Sequence, residues 1–168
     1  QDNFSLLRAA MHCGDPVAYI EHKTLWGLRG EVDAGKTAKL GEARRVRAGN
    51  AITIVSWSRQ VHVCEQACIE LAAQDIEADL IDLRTLWPWD RDMVLESCAR
   101  TGRLLVAHEA VQTAGFGAEI AATAAEITAC KVARLGAPRI PVGYAPILEA
   151  QSRIDATRVT DAALRLLG

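Results

Sequence analysis

The chain has 168 residues, half of them hydrophobic and 24% charged, with a formal net charge of -2. That composition fits an ordinary globular domain with a hydrophobic core and room for a short appendage. The near-neutral balance gives no electrostatic ground for a nucleic-acid or anionic-membrane partner, and no apolar run approaches the ~20 residues that a membrane helix needs.

The opening run Gln1-Asp2-Asn3-Phe4-Ser5 has neither the charge nor the apolar stretch of a signal peptide, and it reads as an internal segment. Phe4, Leu7 and Met11 stand at helical spacing behind Asp2 or Asn3 as cap, which predicts a helix over 4–12. Gly14-Asp15-Pro16 breaks it. Val17 to Ile20 predicts a short strand. Residues 24–39 show no period and hold Gly27, Gly30, Asp33 and Gly35, so they predict a linker with a domain boundary near residue 38. Arg44, Arg45 and Arg47 read as a solvated basic stretch before a strand.

Ile52 to Val55 predicts a buried strand of β-branched residues. Val61 to Ala73 predicts a helix with Val61, Cys64, Cys68 and Leu71 on one stripe. Further strands are expected at 78–83, 103–107 and 139–142, and helices at 90–100, 118–129 and 155–167. Strand and helix alternate with short loops, which implies a three-layer α/β/α domain around a mostly parallel sheet. The five cysteines, Cys13, Cys64, Cys68, Cys98 and Cys130, are odd in number and lack framework spacing, so they suit a reduced compartment. Cys64 and Cys68 read as buried structural thiols, since zinc needs more ligands than the neighbouring His62 adds.

Ligands of such folds bind at the carboxyl ends of the strands, which singles out four loops. In the first, Ser56-Trp57-Ser58-Arg59-Gln60, hydroxyl capping of a helix competes with an anion site at its amino terminus. In the second, Trp87 and Trp89 flank Pro88. They read equally as an interface ledge and as a plug in the domain's own core. Asp90 caps the following helix on either reading, and Arg84 is expected to pair with a carboxylate. The third, His108 to Gly117, offers a His-Glu pair suited to acid–base work and a Gly115-Phe116-Gly117 turn. That turn serves either tight packing or a weak phosphate cradle. The fourth is Gly143 to Pro146.

Five motifs in order carry a resemblance. Glu21-His22-Lys23-Thr24-Leu25-Trp26, Leu40-Gly41-Glu42-Ala43-Arg44, Ile81 to Leu86 with Pro88 and Asp90, Thr101-Gly102-Arg103 followed by His108-Glu109-Ala110, and Gly115 to Ile120 together resemble the β subunits of thiamine-diphosphate-dependent 2-oxo acid dehydrogenases. The pyruvate, branched-chain and acetoin types are included. The resemblance implies a transketolase C-terminal domain over 39–168, preceded over 1–38 by the tail of the pyrimidine-binding domain and its linker.

It implies oxidative decarboxylation of a 2-oxo acid with acyl transfer to lipoyl groups. Thiamine diphosphate and magnesium are then held mainly outside this chain, and the activating glutamate lies upstream of residue 1. No residue here matches a family catalytic or thiamine-binding group, and Glu21 and His22 take neither role. The chain alone is therefore expected to be inactive and to serve assembly and docking. The implied partners are an α subunit, a second β subunit and an acyltransferase core, in a bacterial cytoplasm or an organelle matrix.

Trp87, Trp89 and Phe116 are the expected contact residues. A structural potassium ion of the family would fall on Ala10, Met11 and Asp15, with Cys13 where an oxygen ligand belongs. The loop Val142-Gly143-Tyr144-Ala145-Pro146 lacks the aspartate common in the family. The alternative is a non-catalytic interaction domain of a transketolase-like or acetoin-cleaving enzyme. Trp57 to His62 and Pro88-Trp89-Asp90 lean towards the branched-chain type, although scaffold residues do not identify a substrate.

Overall fold

The computed structural model describes residues 1–168. Helix α1 spans Asp2–His12, and a 3-10 turn covers Lys23–Leu25. Strand β1 (Arg44–Arg47) leads into β2 (Ile52–Ser56), α2 (Arg59–Ala72), β3 (Ala78–Asp82), α3 (Arg91–Thr101) and β4 (Arg103–Val111). Then follow α4 (Gly117–Ile127), β5 (Lys131–Ala137), α5 (Pro146–Ser152) and α6 (Ala156–Leu167). The sheet order is β1-β3-β2-β4-β5, parallel throughout except for β1. The expected three-layer α/β/α class with a mostly parallel sheet is the observed one.

Strand pleating builds two cores from one sheet, because successive side chains leave opposite faces. Ile52, Ile54, Leu80, Leu105 and Ala107 pack with α2 and α6. Val55, Ile81, Leu104 and Val106 face the other way and pack with Val94 and Cys98 of α3 and with Ile120 and Ala124 of α4. Because both faces are covered, β2 and β3 are buried at every position. Cys64 and Cys68 belong to the α2 side of this packing, as structural thiols.

The sequence expectations miss in four places, each for a physical reason. Val17 to Ile20 is not a strand. It has no neighbour to pair with, and Ile20 stays 88% exposed. The last strand is Lys131–Ala137 and not 139–142, since Pro138 and Pro141 lack the N–H that a ladder requires. Helix α5 escapes notice because it has only seven residues and begins on a proline.

The arginine run at 44–47 is itself a strand. Its charges meet acids on and beside β3: Arg44 to Asp82 (3.3 Å), Arg45 to Asp79 (3.0 Å) and Arg47 to Glu77 (2.6 Å). A charged edge strand also discourages pairing with foreign strands.

Asp79 is the one fully buried carboxylate. Its Oδ2 accepts from Ser97 Oγ and from Arg100. Its Oδ1 lies in the ion pair with Arg45 but off hydrogen-bond alignment. Thr53 Oγ1 extends the network at 2.7 Å to both Ser97 and Thr101. Removing one partner of a buried pair strands the other charge, which costs about 3–5 kcal/mol. The double variant Arg45→Ala/Arg100→Ala strands the buried Asp79 charge and is therefore expected to lose about that much stability, whereas Asp79→Ala leaves only partly exposed guanidinia unpaired and should lose less. Urea unfolding of both variants checks the ordering, and equal losses would overturn it.

Candidate functional site

The carboxyl ends of the strands gather the first, second and third loops. Ser56 ends β2 with its Oγ donating to the Ala107 carbonyl (2.9 Å). Ser58 then adopts φ 55°, and its hydroxyl does not cap α2. Hydroxyl capping needs an extended residue, so the expected cap is absent here. Trp57 stacks on His108 with centroids 5.2 Å apart and also meets Phe116 edge-on at 6.2 Å. Phe116 in turn meets Trp89 edge-on at 6.4 Å. One aromatic row thus joins three loops.

The His-Glu pair divides across the strand. His108 points inward and is fully buried, and neither ring nitrogen has a hydrogen-bond partner. Burial pushes its pKa below the ordinary histidine value and Arg134 acts in the same direction. The Ala110 backbone opposes them from outside hydrogen-bond geometry. A Cβ on Gly117 would fall 2.6 Å from Nε2 of His108, and one on Gly115 would fall 2.7 Å from Cε1. The two glycines are therefore space for this imidazole. They leave no phosphate cradle, so the diphosphate group of a thiamine cofactor does not fit here.

Glu109 points outward, accepts from Arg59 (2.9 Å) and lies 3.1 Å from His22 Nε2. His22 Nδ1 accepts from the Thr24 N–H (3.2 Å) and lies 2.8 Å from the Thr24 hydroxyl. An accepting Nδ1 assigns the proton to Nε2, which faces the carboxylate. The row Thr24–His22–Glu109–Arg59 lines a cleft of about 340 Å³ with Ser152 and Arg153. Its charges are matched within the row, so its chemistry is that of a clasp between the amino-terminal segment and the sheet. Spatial pairing across 87 residues leaves no local signal, and sequence reasoning missed it.

The second loop is pinned from both sides. Asp90 caps α3 by accepting from Met93 N (3.0 Å), and its other oxygen accepts from Ala43 N (2.9 Å). Thr85 Oγ1 accepts from Gly41 N (2.9 Å) and donates to the Pro88 carbonyl (2.7 Å). Arg84 pairs with Asp2 (3.4 Å) and donates to the Glu42 carbonyl. Asp82, below it, is pushed up by burial, against the pull of the Arg84 N–H and Arg44.

The two tryptophans have opposite fates: Trp87 is 82% exposed and Trp89 only 7%. Trp89 is a core residue, filling the α3–α4 side of the sheet, so the interface expectation does not hold for it. Phe116 is half-buried against the same core.

Ala10, Met11 and Asp15 sit at the exposed end of α1. The Cys13 thiol donates to the Ala10 carbonyl (3.3 Å) and to the Asp15 carbonyl (3.5 Å). A sulfur at an oxygen position, already bonded to the carbonyl the ion would take, does not fit a hard cation. Cys64 and Cys98 are pushed up to about 12 and Cys68 to about 11, in each case chiefly by burial, which makes them inert thiols.

Residues 41–159 match the family model described as the transketolase C-terminal domain. The chain is 39% identical to the acetoin:2,6-dichlorophenolindophenol oxidoreductase subunit beta of Cupriavidus necator, over 99% of this chain and 51% of that protein. It is 42% identical to the mitochondrial 2-oxoisovalerate dehydrogenase subunit beta 2 of Arabidopsis thaliana, over 72% of this chain and 34% of that protein. The chain thus spans about half of the first relative's length and a third of the second's. A split-gene transketolase, an inactive β4 tetramer, shares the fold with a TM-score of 0.75 at 24% identity, over 84% of this chain and 47% of that one.

The lowered pKa of His108 makes stability depend on pH. Above about 6.5, the unfolded value, both states hold a neutral ring. As pH falls through that value the unfolded chain takes up the proton first, so stability drops until the folded pKa is reached. Unfolding free energies at pH 7.5, 6.5 and 5.5 should fall in that order, and His108→Phe should flatten the fall. An unchanged slope in the variant would rule out His108 as its source.

Proposed function

This chain belongs to the transketolase C-terminal domain family, and on that premise we propose that it is the carboxy-terminal part of the β subunit of a 2-oxo acid dehydrogenase decarboxylating component, serving assembly and docking. Trp87 carries the reading. A large apolar side chain stands exposed on a loop that Asp90, Thr85 and Gly41 hold rigid, and rigid aromatic area is what a protein interface uses at low entropic cost. The similar chains from Cupriavidus necator and Arabidopsis thaliana are both named as β subunits.

The partners are an α subunit, a second β subunit and the acyltransferase core. Thiamine diphosphate with magnesium supplies the carbanion chemistry and is held mainly outside this chain. In support, the glycines nearest a cradle are occupied with His108 and the nearest carboxylate, Glu109, is held by Arg59 and His22. The compartment is a bacterial cytoplasm or an organelle matrix. No helix of the chain is long and apolar enough to cross a membrane.

Two folding units meet near residue 38 in this reading. Residues 13–40 are mostly exposed, and the ties of the segment to the sheet are few, chiefly His22 to Glu109 and Asp2 to Arg44 and Arg84. Limited proteolysis should cut between Thr24 and Lys39 and leave a stable carboxy-terminal fragment. Earlier cleavage inside 52–107 would refute the division.

Trp87→Ala in the full β chain should weaken association with its partner subunits by about 2 kcal/mol while leaving thermal stability unchanged. Trp89→Ala should instead lose about 3–5 kcal/mol of folding stability. Sedimentation of the assembled enzyme and thermal unfolding separate the two. Assembly unaffected by Trp87→Ala would remove the docking surface, and assays of the assembled enzyme with pyruvate, a branched-chain 2-oxo acid and acetoin would identify the substrate.

A further inference from the structure

The end of β5 and the outer face of α6 enclose a second cleft, of about 540 Å³. Arg139 enters it just past β5, and Arg158 and Arg165 enter it from α6, two turns apart on one face. Asp161 is the one carboxylate in the lining, so three arginines less one aspartate leave a net charge of +2. Gln112 and Thr113, from the turn after β4, contribute to the lining, which holds no aromatic side chain.

Arg158 is anchored, with Nη1 donating to the Arg153 carbonyl (2.7 Å) and the Gln151 carbonyl (3.4 Å). Its Nη2 and Nε remain free. Arg139 and Arg165 are exposed and take part in none of the ion pairs of the molecule, and Asp161 joins none either.

Three guanidinia sharing one cleft repel each other, and an anion among them relieves that repulsion while taking several charge-assisted hydrogen bonds at once. The volume lies within the range of about 300–1,000 Å³ typical of small-molecule sites. With no ring to stack on, a nucleobase has no platform, which leaves a compact and highly charged ligand. We propose that this cleft is an anion site for a small molecule bearing two or more oxyanion groups, on either phosphate or carboxylate. The inference is independent of the docking role proposed for Trp87.

Titration calorimetry of the full chain with tripolyphosphate, and separately with citrate, tests it at an ionic strength matched with potassium chloride. Saturable binding of at least one is expected. The double variant Arg139→Ala/Arg165→Ala should weaken it on the order of tenfold or more, and Asp161→Asn should tighten it. All three positions are exposed, and circular dichroism verifies that the variants fold. Binding of tripolyphosphate alone assigns a phosphate ligand, binding of citrate alone assigns a polycarboxylate, and binding of both supports the shared chemistry. Heat no greater than that of the salt control for either anion, or a double variant that binds as tightly as the parent, overturns the site.

Discussion

Asp79 holds the sheet to its neighbours. It sits on β3 with no solvent contact, and three residues from two elements reach it: Arg45 from the edge strand β1, and Ser97 and Arg100 from α3. A lone buried carboxylate is strongly unfavourable, so these partners are obligatory. Their positions fix which face β1 presents and how α3 lies across β2 and β3. Through Ser97 the network continues to Thr53 and Thr101, so the hydroxyls that interrupt an otherwise apolar layer are each bonded.

The opposite end of the sheet is governed by volume and not by charge. His108 occupies a space that only glycine can border, at 115 and 117, and Trp57 closes it from the side. The aromatic row that follows draws Trp89 inward. With Trp89 spent in the core, and with Thr85, Gly41 and Asp90 tying the loop at both ends, Trp87 is left standing in solvent. Exposure of one tryptophan and burial of the other are two results of one packing arrangement.

The charged groups along this face separate into matched and unmatched sets. Glu109 is shared by Arg59 and His22, which leaves a neutral clasp over the strand ends. Around β5 and α6 the guanidinia of Arg139 and Arg165 meet no carboxylate. The first set fastens the chain to itself, and the second is open to something from outside.

Periodicity in the sequence determined the strands at 52 and 78, the four long helices that cover the sheet, and the class of the fold, because burial on two faces needs long apolar stretches in a fixed order. Asp90 was legible as a cap from its place before a helix. Motif order indicated the family. What the tertiary structure alone decided lies in contacts between distant residues. Arg44 to Arg47 reads as solvated basic chain until Asp79, Asp82 and Glu77 are seen opposite. The Gly115-Phe116-Gly117 turn admits a phosphate until His108 is found against it. Trp87 and Trp89, two residues apart, are indistinguishable by composition, and only the position of Phe116 separates them. A local pattern records which face of an element is apolar. Which charge meets which, and which ring fills which gap, depends on residues up to 87 positions apart, and no short stretch of sequence contains that information.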